Sequence, residues 1–200
     1  MKYFTSDVHF NDLDTLINDN RPFKSTKQFD KYVIRRWNKQ ADRNDTIYVV
    51  GDFIDCNNES HESWKKSILY VKKIKASVIL IMGNNEDRVV KYFFCGEFNK
   101  FREYCISVGF KDVYKNLSIS FNDKEFYLTH KAINYKKGVI NLFGHSHRSM
   151  GIYKPFGFNI GCDLNHFRLY SEDDIEFLLK QKAKYWDIDK NLNMIIDNDD

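Results

Sequence analysis

Three short apolar runs rich in β-branched and aromatic residues, Lys2 to Thr5, Thr46 to Val50 and Ser77 to Met82, pass directly into polar turns: Ser-Asp-Val-His, Gly-Asp-Phe-Ile-Asp and Gly-Asn-Asn-Glu. Runs of this kind predict buried strands. Between them the apolar positions change period. Phe29, Val33 and Trp37 recur every four residues, and Trp64, Ile68, Val71 and Ile74 every three or four, so each set predicts a helix that buries one face. The opening of the chain is therefore β-α-β-α-β. Crossovers of that kind favour a parallel sheet, which gathers ligand groups at the carboxyl ends of its strands. The three polar turns are expected to converge.

The second half has a different rhythm. A helical stretch over Glu97 to Val108 ends at Gly109, and strands follow at Leu117 to Phe121, Glu125 to Thr129 and Val139 to Phe143. Asn122-Asp123 marks a tight hairpin turn between the first two. Two of these strands run into histidines, first His130 and then His145 with His147. Ser171 followed by Asp174 resembles a capping box that opens a last helix through about Trp186, and the acidic, Asn-rich stretch 187–200 is expected to fray.

Composition narrows the class more than the chemistry. A chain of 200 residues, 42% hydrophobic, is long enough for a full core and predicts one domain over 1–200. The balance of 31 basic against 28 acidic residues names no partner. Cys56, Cys95, Cys105 and Cys162 form no C-x-x-C pair, as expected of reduced thiols in a cytoplasmic protein. No apolar run reaches membrane-spanning length, so no membrane partner is expected.

The chemistry lies in the strand-end turns. A lone Asp-x-His or His-x-His is more often a hydrogen-bonded surface pair than a metal site. Here hard oxygen donors and imidazoles recur at strand ends in a fixed order: Asp7-Val8-His9, Gly51-Asp52-Phe53-Ile54-Asp55, Gly83-Asn84-Asn85-Glu86, His130, and Gly144-His145-Ser146-His147. Four of the 6 histidines fall in these turns, and His61 and His166 lie outside them.

In order and spacing these motifs resemble those of the calcineurin-like metallophosphoesterases, over most of the chain. Asn159 to Asp163 is also similar to a small bacterial or phage-type branch of that family. The resemblance implies an α/β fold, a four-layer α/β/β/α sandwich with two mixed sheets. It further implies a dinuclear centre in which Asp7, His9 and His147 hold one divalent ion, Asn84, His130 and His145 hold the other, and Asp52 bridges them. Manganese is the expected metal, with iron and zinc as alternatives for a donor set without thiolates. The implied reaction is hydrolysis of a phosphate ester by a metal-bridging hydroxide. Asp55 is expected to orient a ligand histidine or the motif turn, and Lys131, Arg148 and Arg88 are candidate phosphate clamps.

One departure from the family pattern bears on substrate. Where most members carry a histidine after the ligand asparagine, this chain has Asn85, which can donate a hydrogen bond to phosphate but cannot act as a general acid. Such acids contribute about 10²–10⁴-fold, so the change predicts a preference for phosphodiesters with stabilised leaving groups, small diesters or nucleotides among them. Asn11 and Asp12 likewise replace the Gly-His that often follows Asp-x-His-Phe. Two other readings stay open: a scaffold that keeps the metal site without turnover, and a nuclease whose aromatic residues, 16% of the chain, stack bases.

Overall fold

The computed structural model describes residues 1–56, 63–148, 152–153 and 157–181, with backbone only at 152–153. Its first half runs β1 (Lys2–Thr5), α1 (Leu13–Asn18), α2 (Thr26–Gln40), β2 (Thr46–Val50), α3 (Ser63–Ile68), β3 (Ser77–Ile81), α4 (Asn84–Phe93), α5 (Phe98–Val108) and β4 (Asp112–Tyr114). It contains the predicted β-α-β-α-β series and the helix before Gly109, and adds α1, α4 and β4, which the apolar pattern did not mark. β1, β2, β3 and β4 pair in parallel, with Tyr3 opposite Ile47 and Ile47 opposite Val78. Ser25 starts α2 by accepting the Gln28 N–H, and Phe29, Val33 and Trp37 form its buried stripe. The second predicted helix is shorter than its apolar pattern: after Ile68 the chain tightens into a 3-10 turn, Leu69–Lys73, and Ile74 leaves it with extended backbone. Apolar spacing is kept across that change because both helix types return a side chain to the same face every three or four residues.

The second sheet holds β5 (Leu117–Phe121), β6 (Lys124–Leu128), β7 (Ile140–Phe143), β8 (Ile152–Tyr153) and β9 (Gly157–Asn159). Its order is β5-β6-β7-β9-β8, antiparallel at both edges and parallel inside, and β10 (Tyr170–Ser171) closes the first sheet antiparallel to β1. Both sheets are therefore mixed. The hairpin turn is the predicted one, with Asn122 at φ 48° and Asp123 at φ 56°, the left-handed pair that a two-residue turn requires.

Two apolar clusters hold these layers together. One lies between the helices and the first sheet and includes Phe10, Phe29, Trp37, Trp64, Leu80 and Phe101. The other lies between the sheets, where Phe4, Val50 and Ile81 meet Phe126, Leu142 and Phe158. Outside the second sheet the cover is slight: the segment around Lys136 lies over Asn141, which bonds Lys136 N, Lys136 O and Val139 O, while Ser118, Ser120 and Glu125 are exposed. The last helix, α6 (172–181), begins at the predicted box, where Ser171 N donates to Asp174 and Asp174 N donates to the Ser171 hydroxyl. Its expected continuation to Trp186, the stretch 187–200 and His61 lie outside the described residues. All four cysteines are free; Cys95, unlike the other three, is exposed.

Candidate metal centre

The turns after β1, β2 and β3 and the two histidine turns of the second sheet meet at one edge of the molecule. Asp7, His9 and His147 bring their ligand atoms together, and so do Asp52, His130 and His145. The two groups share a boundary at one oxygen: Asp52 Oδ2 lies 3.5 Å from His9 Nε2 and 3.4 Å from His130 Nε2. Asn84 Oδ1 completes the second group, 3.1 Å from His130 Nε2 and 2.9 Å from His145 Nδ1.

Backbone geometry explains how short turns aim so many side chains at one point. Asp7, His9, Asp52, His145 and His147 all have positive φ, between 43° and 70°. Left-handed backbone costs a non-glycine residue about 1–2 kcal/mol, and such residues concentrate where function fixes a side chain's direction. Gly51 and Gly83 make room for the arrangement. A Cβ on Gly51 would fall on the His130 ring, and one on Gly83 would fall on the Asp52 backbone and carboxylate.

A buried carboxylate holds these turns in place. Glu86 is fully buried and accepts the N–H groups of Asp52 (2.9 Å), Phe53 (3.0 Å), Ile54 (3.3 Å) and Gly83 (2.8 Å), so the second and third turns are bonded to one side chain. Burial, with the Asp52 charge, pushes the Glu86 carboxyl up, and backbone N–H donors from Asp52 and Gly83 oppose the shift. At Asp52 burial also works against charge, but the bond and charge of His130, the charge of His9 and the Asn85 N–H outweigh it and hold this carboxyl well below the usual carboxylate range.

The imidazoles are set for coordination. His130 Nδ1 lies 2.9 Å from the Val50 carbonyl and His9 Nδ1 lies 3.0 Å from Asp12 Oδ2, so in each ring the outer nitrogen carries a proton and Nε2 is the atom turned to the centre, where a bound cation would take the place of any proton on it. His147 Nδ1 is in ion-pair contact with Asp19 Oδ2 at 2.6 Å, at an angle outside hydrogen-bond geometry, and lies 3.7 Å from Asp163 Oδ2. His9 Nε2 is buried without a hydrogen-bond partner, an arrangement that costs free energy unless a cation meets it. The 2.9 Å and 3.1 Å separations around Asn84 Oδ1 also match the spacing of about 3.0 Å between neighbouring ligands of an octahedral ion with bonds of about 2.0–2.1 Å. The residues present therefore fit divalent metal.

A family model described as calcineurin-like phosphoesterase matches residues 3–191. The chain belongs to that family. Among curated proteins, an uncharacterized protein of Methanocaldococcus jannaschii is 30% identical over 95 residues, which is 45% of this chain and 52% of that protein, so the match spans about half of the relative's length. Among solved structures, a protein of unknown function from Aquifex aeolicus superposes with a TM-score of 0.64 at 22% identity, covering 89% of this chain and 98% of that one, and shares the fold. An archaeal phosphodiesterase gives a TM-score of 0.48 at 20% identity over 81% of this chain and 84% of its own.

Set in this phosphoesterase frame, several neighbours of the ligands differ from expectation. Asn85 is 2% exposed, its Nδ2 donates to the Ile54 carbonyl at 3.0 Å, and its Oδ1 accepts from Arg88 at 3.1 Å. Both ends of its amide are thus hydrogen-bonded to protein. Asp55 was expected to orient a ligand histidine or the motif turn; the histidine role at His9 belongs to Asp12, which stands at the N-cap of α1, accepts the Thr15 N–H with one oxygen and meets His9 Nδ1 with the other. Those bonds overcome the effect of burial and hold the Asp12 carboxyl at about 2. Burial first, then the Asp12 charge, raises Asp55 to about 6. Arg148 lies on the surface, 3.9 Å from Asp163 Oδ1 behind His147. Lys131 does border the centre, in a cavity of about 340 Å³ that it lines with Asn84, His130, Lys115 and Asp87.

Arg21 was not singled out by sequence. It is buried, donates to the carbonyls of Asp7 (2.7 Å) and Val8 (2.8 Å), and grips Asp163 through Nε (3.0 Å) and Nη2 (2.7 Å). It thereby joins the first ligand turn to the Asn159–Asp163 segment, where Asn159 in turn donates to the His147 carbonyl at 3.0 Å.

Proposed function

We propose that the protein is a hydrolase of phosphate esters with a dinuclear metal centre, and that it prefers diesters. The observation that carries this reading is the shared oxygen of Asp52, faced by the inner nitrogens of His9 and His130 from the two ligand groups. Asp7, His9 and His147 would hold one ion, and Asn84, His130 and His145 the other. Two divalent ions, with manganese the first to test, would supply Lewis acidity and a water acidified to near-neutral pKa.

The chain's own part is placement. Val50 and Asp12 fix the imidazole tautomers, Glu86 fixes the turns that carry Asp52 and Asn84, and Lys115 and Lys131 offer positive charge in the cavity beside Asn84. Hydrolysis adds water across one P–O bond, and the departing oxygen needs a proton or must be stable as an anion. With Asn85 held by Ile54 and Arg88, no side chain at that position supplies the proton. The site therefore suits diesters with good leaving groups, nucleotides among them.

The test is turnover of bis-p-nitrophenyl phosphate against p-nitrophenyl phosphate by metal-stripped protein reloaded with manganese, beside Asp52→Asn. Metal-dependent diester cleavage lost in the variant is expected. Faster monoester cleavage would sink the diester preference, and no turnover with metal bound would sink the enzyme reading.

A further inference from the structure

A second cavity, of about 510 Å³, opens along α2 with no ligand residue in its lining; Lys27, Lys31, Arg35 and Lys39 from α2 and Lys73 and Lys75 from the segment before β3 line it. All six are exposed. The four on α2 stand at every fourth position, and at about 1.5 Å per residue they form a line of positive charge about 18 Å long. Like charges at that spacing destabilise a helix, so intrahelical pairing does not account for the pattern. Lys27, Lys31, Arg35, Lys39 and Lys75 have no carboxylate in ion-pair contact among the described residues. The sole acidic group in the lining, Asp30, is 1% exposed and accepts the Asn11 N–H at 3.2 Å. With 31 basic and 28 acidic residues in the whole chain, the excess is local.

The groove is joined to the metal centre. α2 connects the parallel strands β1 and β2, so it runs against them, and its first turn lies at the edge that carries Asp7 and His9. At that end Asp30 bonds Asn11, while Tyr70 on the floor stacks on Phe10 at 4.9 Å and 8°. Both contacts fall within two residues of His9.

We propose that this groove binds the backbone of a single-stranded nucleic acid, which runs along α2 toward the ligand turns. Length selects a polymer over a small anion, since a line of charge about 18 Å long exceeds the reach of one phosphate and matches several successive phosphates of a strand. Concavity selects a strand over a membrane, which would meet a flat or convex face. Ile34 and Tyr70 give the floor apolar surface under the charges. The diesterase reading bears on what happens to the strand and not on whether it binds.

Binding of a labelled 20-mer single strand to full-length Asp52→Asn protein, titrated across salt, tests the site, with a repeat on unsubstituted protein in EDTA. Adding Lys31→Gln with Arg35→Gln should lower affinity about 25-fold at 0.1 M salt and reduce the log–log salt slope by about 1.4, as loss of two phosphate contacts requires. Lys91→Gln with Lys111→Gln, away from the groove, should change neither. In an otherwise wild-type chain, the groove pair should leave turnover of bis-p-nitrophenyl phosphate unchanged. Equal losses from both pairs, an unaltered slope in the groove pair, or groove-dependent binding to phosphatidylserine vesicles in place of the strand would overturn the proposal.

Discussion

The two halves of the metal centre are built differently. The half on the first sheet is buried and bonded from behind: Asp7, His9 and Asp52 are 0%, 6% and 2% exposed, Glu86 collects four backbone N–H groups, and Asp12 holds His9. On the second sheet His130 is also buried, at 4% exposed, and is bonded to the Val50 carbonyl, but the turn after β7 is more open, with His145 exposed and His147 in ion-pair contact with Asp19, itself only partly buried. The difference teaches that one half is preorganised by its own sheet, whereas the other reaches its place through packing between sheets and through Arg21 and Asp163. Metal binding should therefore draw on rigidity in the first half and impose order on the second.

Breaking the boundary between the halves should have the largest effect. Asp52→Asn removes the one carboxylate oxygen that both imidazoles face, and diester turnover is expected to fall by about 10³-fold or more with far-UV circular dichroism unchanged. A modest loss would mean that each half works alone. Next comes the support of the preorganised half. Glu86→Gln replaces a buried acceptor of four N–H groups with an amide that turns donor hydrogens toward some of them, and should lower unfolding free energy by about 3 kcal/mol in urea titrations. An unchanged midpoint would show that the turns stand without it.

What the sequence revealed follows the same division. Ligand residues were legible because each follows an apolar strand directly, so strand detection and motif order reinforced each other. Groups that hold the ligands were harder to see. Glu86 lay inside a recognised motif, yet its role depends on N–H groups more than 30 residues earlier in the chain. Arg21 and Asp163 are 142 positions apart and meet only through the packing that joins the sheets. Asp12 looked like a departure from the family pattern, although an aspartate three residues after His9 and at a helix start is both a cap and a histidine partner. The change from α to 3-10 helix after Ile68 left no mark, because apolar spacing fits both forms.

A milder pair of substitutions sharpens the comparison. Asp12→Asn and Asp19→Asn each remove the carboxylate beside the outer nitrogen of a ligand histidine, one in the buried half and one in the open half. Such supports are worth about 10–100-fold in metal affinity. We expect the upper part of that range for Asp12, whose bonds to His9 and Thr15 are shielded from water, and about 10-fold for Asp19, which is more solvated. Calorimetric manganese titration checks both, and equal losses would contradict the contrast between the halves.

The smallest expected effect lies at the far edge of the first sheet, and it tests whether rigidity near the site has local causes. On β4, the bond from Arg102 holds the Asp112 carboxyl at about 2, against a small opposing effect of burial. A depressed carboxylate stabilises the fold above its unfolded pKa, near 3.9, and that contribution is lost as pH falls from about 4 toward 2. Because solvent screens the pair, Asp112→Asn should cost only a few tenths of a kcal/mol at pH 7 and flatten the acid limb of urea stability by the same amount. Manganese affinity should not move. A loss of metal affinity in Asp112→Asn would show that the sheet edge, and not Glu86 with Asp12, sets the order of the buried half.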